Sequence, residues 1–128
     1  MRNKPQYAVS SFVHMAETTK RIEIIGNPNT TRSYLSATDM SCWMYKALDS
    51  EMSGEVLSIG SSIPVTMFEL ASFIAEIAKS RVVLLNPMAE GDYYVADNQN
   101  TCERLQVFET EQWQTSILKY MESNRDGF

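Results

Sequence analysis

The sequence predicts a small mixed α/β lobe, with α+β character, of about five helices and four short strands. Three observations predict it. Apolar stripes at i, i+3, i+4 spacing alternate along the chain with short β-rich runs. Turns rich in Gly, Pro and Asn separate these segments, and no linker, internal repeat or low-complexity tract divides them. The β-rich runs are too few and too short for a doubly wound sheet. A chain of 128 residues fits one domain, so a single lobe over 1–128 is expected.

Val9, Phe12, Val13 and Ala16 set the apolar stripe of a first helix from Tyr7 to Thr19, entered after Pro5. Arg21 to Gly26 reads as a strand. Asn27-Pro28-Asn29 is a turn, because proline fixes φ and asparagine tolerates unusual backbone angles. Thr31 to Leu35 reads as a second strand. Thr38 or Asp39 is expected to cap the next helix, whose stripe is Met40, Trp43, Met44, Ala47 and Leu48. The helix ends before Ser53-Gly54, and Glu55 to Ile59 reads as a third strand. Thr66 and Glu69 have capping-box spacing ahead of a helix that buries Leu70, Ala71, Ile74, Ile77 and Ala78. Val82 to Leu85 is an apolar strand ended by Asn86-Pro87, and Tyr93 to Val95 is a short extended piece. Asn98 or Asn100 caps a short helix reaching Leu105. Trp113, Ile117, Tyr120 and Met121 mark a terminal helix, frayed from Asn124 to Phe128.

Hydrophobic residues make up 44% and charged residues 21%, a globular balance that speaks against disorder. The formal net charge of −5 excludes the basic stripe of a nucleic-acid binder. Lys20-Arg21 is too small a cluster to change that. Cys42 and Cys102 lack a second Cys or His at ligand spacing, so no metal site is expected. Two isolated thiols, no apolar run of membrane-spanning length and no signal-peptide segment at the start point to a cytoplasmic protein without a membrane span.

Catalytic signatures are missing. The chain has no glycine-rich dinucleotide turn, no P-loop and no G-x-S-x-G, and no tyrosine lies four residues before a lysine. The single histidine, His14, sits in a packing helix. Acidic pairs such as Glu109/Glu111 and Glu90/Asp92 read as solvated surface, and the eight methionines read as core filler. No catalytic residue is therefore assigned. Arg32 stands apart. An arginine beside an Asn-Pro-Asn turn can present a planar fork to phosphate oxygens, or it can be a surface group paired to Asp39 or Glu23.

From Arg32 a wider pattern emerges. Ile24-Ile25-Gly26, Arg32-Ser33-Tyr34-Leu35, Asp39 and Trp43 together resemble the C-terminal, substrate-binding portion of NAD-dependent nucleotide-sugar epimerases and dehydratases, the extended short-chain dehydrogenase/reductase family. Tyr7 to Val13, Gly54 to Ser61, Pro64 to Ala75, and Tyr94 to Asp97 with Leu105 follow the family's order. The resemblance implies a lobe that binds a nucleotide-diphosphate sugar, with Arg32 on the diphosphate and Glu23, Ile24 and the neighbouring Tyr34 as further contacts. It implies that the NAD site and the catalytic Tyr-x-x-x-Lys belong to a preceding N-terminal domain absent from this chain. On that basis the chain carries no cofactor and is inactive alone. A homodimer, or docking to a separate NAD-binding half through an apolar face including Trp43 or Phe68, is expected. Four departures from the family stand out. Asp92 and Tyr93 occupy positions where it often carries a phosphate-facing arginine. Ser58 and Ala96 replace its asparagine and proline, and Gly26-Asn27-Pro28-Asn29 replaces its G-D-G. Asp92, Tyr93 and Ser58 favour the alternative, a degenerate structural or oligomerisation module that has lost its ligand.

Overall fold

The stripe Phe12, Val13 and Ala16 is the buried side of helix α1 (Ala8–Thr19), which lies against strand β1 (Arg21–Ile24). The computed structural model describes residues 8–49, 54 and 56–126. Tyr7, the Ser53 boundary, Glu55 and the last two residues lie outside that set. Nine elements follow in order among the described residues: α1, β1, β2 (Thr31–Arg32), α2 (Ala37–Asp49), β3 (Val65–Thr66), α3 (Met67–Ala78), β4 (Arg81–Leu84), α4 (Gln99–Leu105) and α5 (Trp113–Asp126). The mixed α/β class is as the sequence predicts. The chain divides into two units, residues 1–32 with 65–93 and residues 33–64 with 94–128.

In the first unit β1 pairs with β4 in parallel, Arg21 opposite Arg81 through Ile24 opposite Leu84. Ile22 and Ile24 alternate with half-buried Arg21 and Glu23, so one face of β1 is apolar. That face receives α1 and α3, whose Leu70, Ala71, Ile74 and Ala75 are buried. Ile77 and Ala78 are only half-buried, because α3 ends there with Lys79 in the left-handed region at φ 51°. The capping box forms as the sequence implies: Glu69 N–H donates to Thr66 Oγ1, and Thr66 N–H donates to Glu69 Oε1 at 2.9 Å.

The second strand is shorter than expected. β2 keeps only Thr31 and Arg32, antiparallel to Thr66 and Val65, and Ser33 onward belongs to the other unit. Residues 56–59 are not a strand. Leu57 and Ile59 turn inward onto Trp43, and Ser58 gives its carbonyl to Thr101 Oγ1 at 2.7 Å, so a side chain replaces a ladder partner. The remaining strand is instead β3, next to the cap of α3. The Tyr93–Val95 piece reduces to one parallel bridge, Thr31 to Tyr93.

In the second unit Trp43, Leu105 and Val107 form a buried cluster with Leu35, Ala47, Leu57, Ile59 and Cys102 packed on it. The expected stripe of α2 holds only at Trp43 and, partly, Ala47. Met40, Met44 and Leu48 are exposed, Leu48 by 86%. Trp43 is thus a core residue and not part of an apolar face, whereas Phe68 of the first unit is half-exposed. The cap of α2 is Ser36, whose Oγ accepts from Asp39 N–H at 2.9 Å; Thr38 and Asp39 lie inside the helix. Neither Asn98 nor Asn100 caps α4 with its side chain. Asn98 Nδ2 instead donates to Gly60 O and Glu109 Oε2.

This distribution of burial predicts a sharp contrast along α2. Trp43→Ala removes a fully buried indole and should lower unfolding free energy by about 3–5 kcal/mol. Leu48→Ala should stay within about 0.5 kcal/mol of the parent. Urea denaturation followed by circular dichroism measures both.

Candidate functional site

Two concavities carry the candidate residues, one in each unit. The first is a cleft of about 270 Å³ between α1 and the end of β1. Ser11, Phe12 and Met15 form one wall, and Glu23 to Asn27 form the other, with Thr30 and Met67. Its rim is set by the Asn27 turn. Asn27 Oδ1 accepts from Asn29 N–H at 2.7 Å, its carbonyl accepts from Thr30 N–H, and its Nδ2 donates to Ala89 O at 2.8 Å. Gly91 lets the 86–92 loop close on this turn, since a Cβ there would lie 3.0 Å from Asn27 Cβ and 3.1 Å from Thr30 Oγ1.

Closing that loop brings Asp92 to Arg32. Thr31 N–H donates to Asp92 O at 2.9 Å, and Arg32 Nη1 donates to Asp92 Oδ1 at 2.8 Å and to Thr31 O at 2.9 Å. Of the carboxylates weighed from sequence, Glu23 pairs with Arg21 and Asp39 serves the second unit. The hydrogen bond from Arg32 holds the Asp92 carboxyl below the usual carboxylate range, against a smaller opposing effect of desolvation. Glu23 and Ile24 line the cleft, and Thr30, two residues before Arg32, lines it too. Arg32 does not line it. It is half-buried beside Asp92, about 7 Å along the strand from Thr30 at β-strand rise.

Tyr34 lines the second concavity, about 420 Å³, with Ser61, Ile63 and residues 109–114. Its wall is organised by Asp39, which is 3% exposed. Asp39 Oδ2 accepts from the N–H groups of Thr110 and Glu111, and Oδ1 accepts from Thr110 Oγ1 at 2.5 Å. Burial raises the pKa of this carboxyl, but hydrogen bonds from Thr110, Glu111 and Ser36 more than offset it, so the net shift is downward. Glu109 Oε2 accepts from Ser62 N–H, Ser62 Oγ and Asn98 Nδ2. Glu111 pairs with Lys119 and Ser116, which lower its pKa. The pair Glu109/Glu111 therefore builds a loop, and no periodic signal in the residues announces the Asp39 clamp.

His14 is exposed, and Cys42 and Cys102 are free thiols, with burial pushing Cys102 upward. Among the described residues no cluster of His, Cys, Asp and Glu could hold a metal, and no helix is long and apolar enough to cross a membrane.

Removing the Asp39 charge leaves a carboxamide with one acceptor oxygen in place of two, which weakens the hydrogen bonds from Thr110 and Glu111. Asp39→Asn is expected to cost roughly 2–4 kcal/mol by denaturant titration. The folded chain holds this carboxyl below its unfolded value near 3.8, so its contribution is complete above that pH and is lost as pH falls through the folded value. Asp39→Asn should therefore flatten the acid limb of the stability–pH curve.

No family model matches the sequence, and no curated protein matches it. Solved structures do match in fold. A structure of MoeE5 in complex with UDP-glucuronic acid and NAD superposes with a TM-score of 0.83 at 18% identity, covering 98% of this chain and 44% of that one. The dTDP-glucose 4,6-dehydratase of Bacillus anthracis gives 0.85 at 15% identity, with 98% and 41% covered. The UDP-glucuronic acid 4-epimerase of Bacillus cereus gives 0.77 at 19% identity, with 96% and 41% covered. This chain spans under half the length of these three proteins, and its fold matches a part of each of them.

Proposed function

We propose that this chain is the substrate-binding lobe of a nucleotide-sugar epimerase or dehydratase, holding a nucleoside-diphosphate sugar on its first unit. The observation that carries the reading is the order of groups along one stretch of backbone. A cleft lined by Glu23, Ile24 and Thr30 is followed two residues later by a guanidinium. A planar base entering the cleft would place its diphosphate toward Arg32, and an arginine fork matches phosphate oxygens in geometry and charge.

The chain does not perform the chemistry alone in this reading. NAD would supply hydride transfer, and the residues here do not fit it. β1 runs into the Asn27 turn and β4 into a turn closed by Ala89 N–H and Asn86 O, so neither strand feeds a helix N-terminus that could hold a pyrophosphate. The cofactor belongs in this reading to a preceding or separate NAD-binding half, in a cytoplasmic enzyme. Exposed Met40, Met44, Tyr45 and Leu48 on α2 offer an apolar face for such a half or for a second copy.

A second reading has its own observation. Arg32 is already engaged by Asp92, as expected of a module that has lost its ligand and serves in assembly.

Calorimetric titration with UDP and dTDP separates the two. The first reading expects binding that Arg32→Ala weakens roughly tenfold to a hundredfold, the worth of one or two charge-assisted hydrogen bonds. Equal binding by Arg32→Ala removes the assignment. No binding, together with a stable dimer by light scattering, selects the second reading.

A further inference from the structure

We propose that Asp92 is a built-in competitor for the anion at Arg32, and that it sets which anions this lobe accepts. The inference rests on the reading of Arg32 as the diphosphate contact and adds the group that opposes it.

Asp92 does two separate things with two separate atoms. Its backbone carbonyl accepts from Thr31 N–H at 2.9 Å, which fixes the 86–92 loop against β2. Its side chain adds the 2.8 Å pair to Arg32 Nη1. The backbone bond survives any rotation of the side chain. The carboxylate can therefore leave Arg32 without disturbing β2, and its side chain is 68% exposed, so it has solvent to move into. That backbone bond belongs to the parallel bridge of Thr31 with Tyr93, so the pairing of this loop with β2 does not involve the carboxylate.

Charge makes the exchange selective. While Asp92 is in place, its carboxylate offsets charge on the Arg32 guanidinium. A ligand with a single dispersed negative charge gains little by replacing it. A diphosphate brings more charge and more acceptor oxygens, and can outbid a pair that an exposed position keeps weak. Glu23, the other acid of this region, is paired with Arg21 at 3.1 Å and does not compete for Arg32. Asp92 thus raises the threshold for every anion that uses Arg32, and a diphosphate clears it where a monocarboxylate does not.

The test is calorimetric titration of UDP and of uridine onto the parent chain, Asp92→Asn, Asp92→Ser, Arg32→Ala and the Arg32→Ala/Asp92→Asn double variant. An exposed ion pair shifts an equilibrium by at most about fivefold. Asp92→Asn and Asp92→Ser are expected to bind UDP roughly twofold to fivefold more tightly than the parent. The gain should vanish in the double variant, and uridine binding should be unchanged. Thermal unfolding within a few degrees of the parent confirms that the Thr31 bond persists. UDP binding that depends on Arg32 but is equal in parent and Asp92 variants overturns this inference and leaves the proposed function standing. A gain that persists without Arg32 also overturns it. Absence of UDP binding in every variant overturns both.

Discussion

Thr31 is the constraint on which the first unit depends. It is buried, and its backbone is claimed on two sides, antiparallel to Thr66 and parallel to Tyr93. Pairing with Thr66 fixes the residue that caps α3. Its N–H bond to Asp92 O fixes the loop that carries the carboxylate. The residue before it lines the cleft, and the residue after it is the arginine. Three functions that are remote in sequence are set by one pair of short backbone contacts, so a two-residue strand positions the candidate site. A longer β2 would add little, because strand alternation already decides which side each of these residues takes.

The second unit is organised by a charge. Asp39 sits in the first turn of α2, where a negative group is favoured by the helix dipole, and it spends its oxygens on the 110–111 loop. Trp43, one turn later, is the centre of the apolar cluster. One helix thus supplies the polar clamp and the largest core side chain four residues apart, on neighbouring faces. Beyond these two only Ala47 of the expected stripe packs on the cluster, and Met40, Met44 and Leu48 remain exposed.

Much of this was legible from residue patterns. The helices followed from apolar spacing and from the Thr66–Glu69 capping box, which is a local signal with a local outcome. The strands were less legible. Residues 56–59 have strand composition, but Thr101 and the Trp43 cluster claim them, and both partners are distant in sequence. The stripe on α2 has helical spacing at every position, yet spacing cannot say which part of a stripe meets a core. In the site, Arg32, Glu23 and Ile24 fall within one unit and Tyr34 lines a cavity in the other. The partner of Arg32 was the least legible feature. It depends on Gly91 and Asn27 closing a loop sixty residues away, and no local pattern reports that.

The proposed function starts from a likeness in fold and puts the ligand in the cleft lined by Glu23, Ile24 and Thr30. The direct measurement is a nitrogen–proton correlation spectrum of the labelled chain during addition of UDP. The account predicts saturable shifts confined to amides of the 24–32 stretch and of 91–93. Shifts centred instead on Ser61 and the 109–114 loop, or none at millimolar UDP, would contradict it.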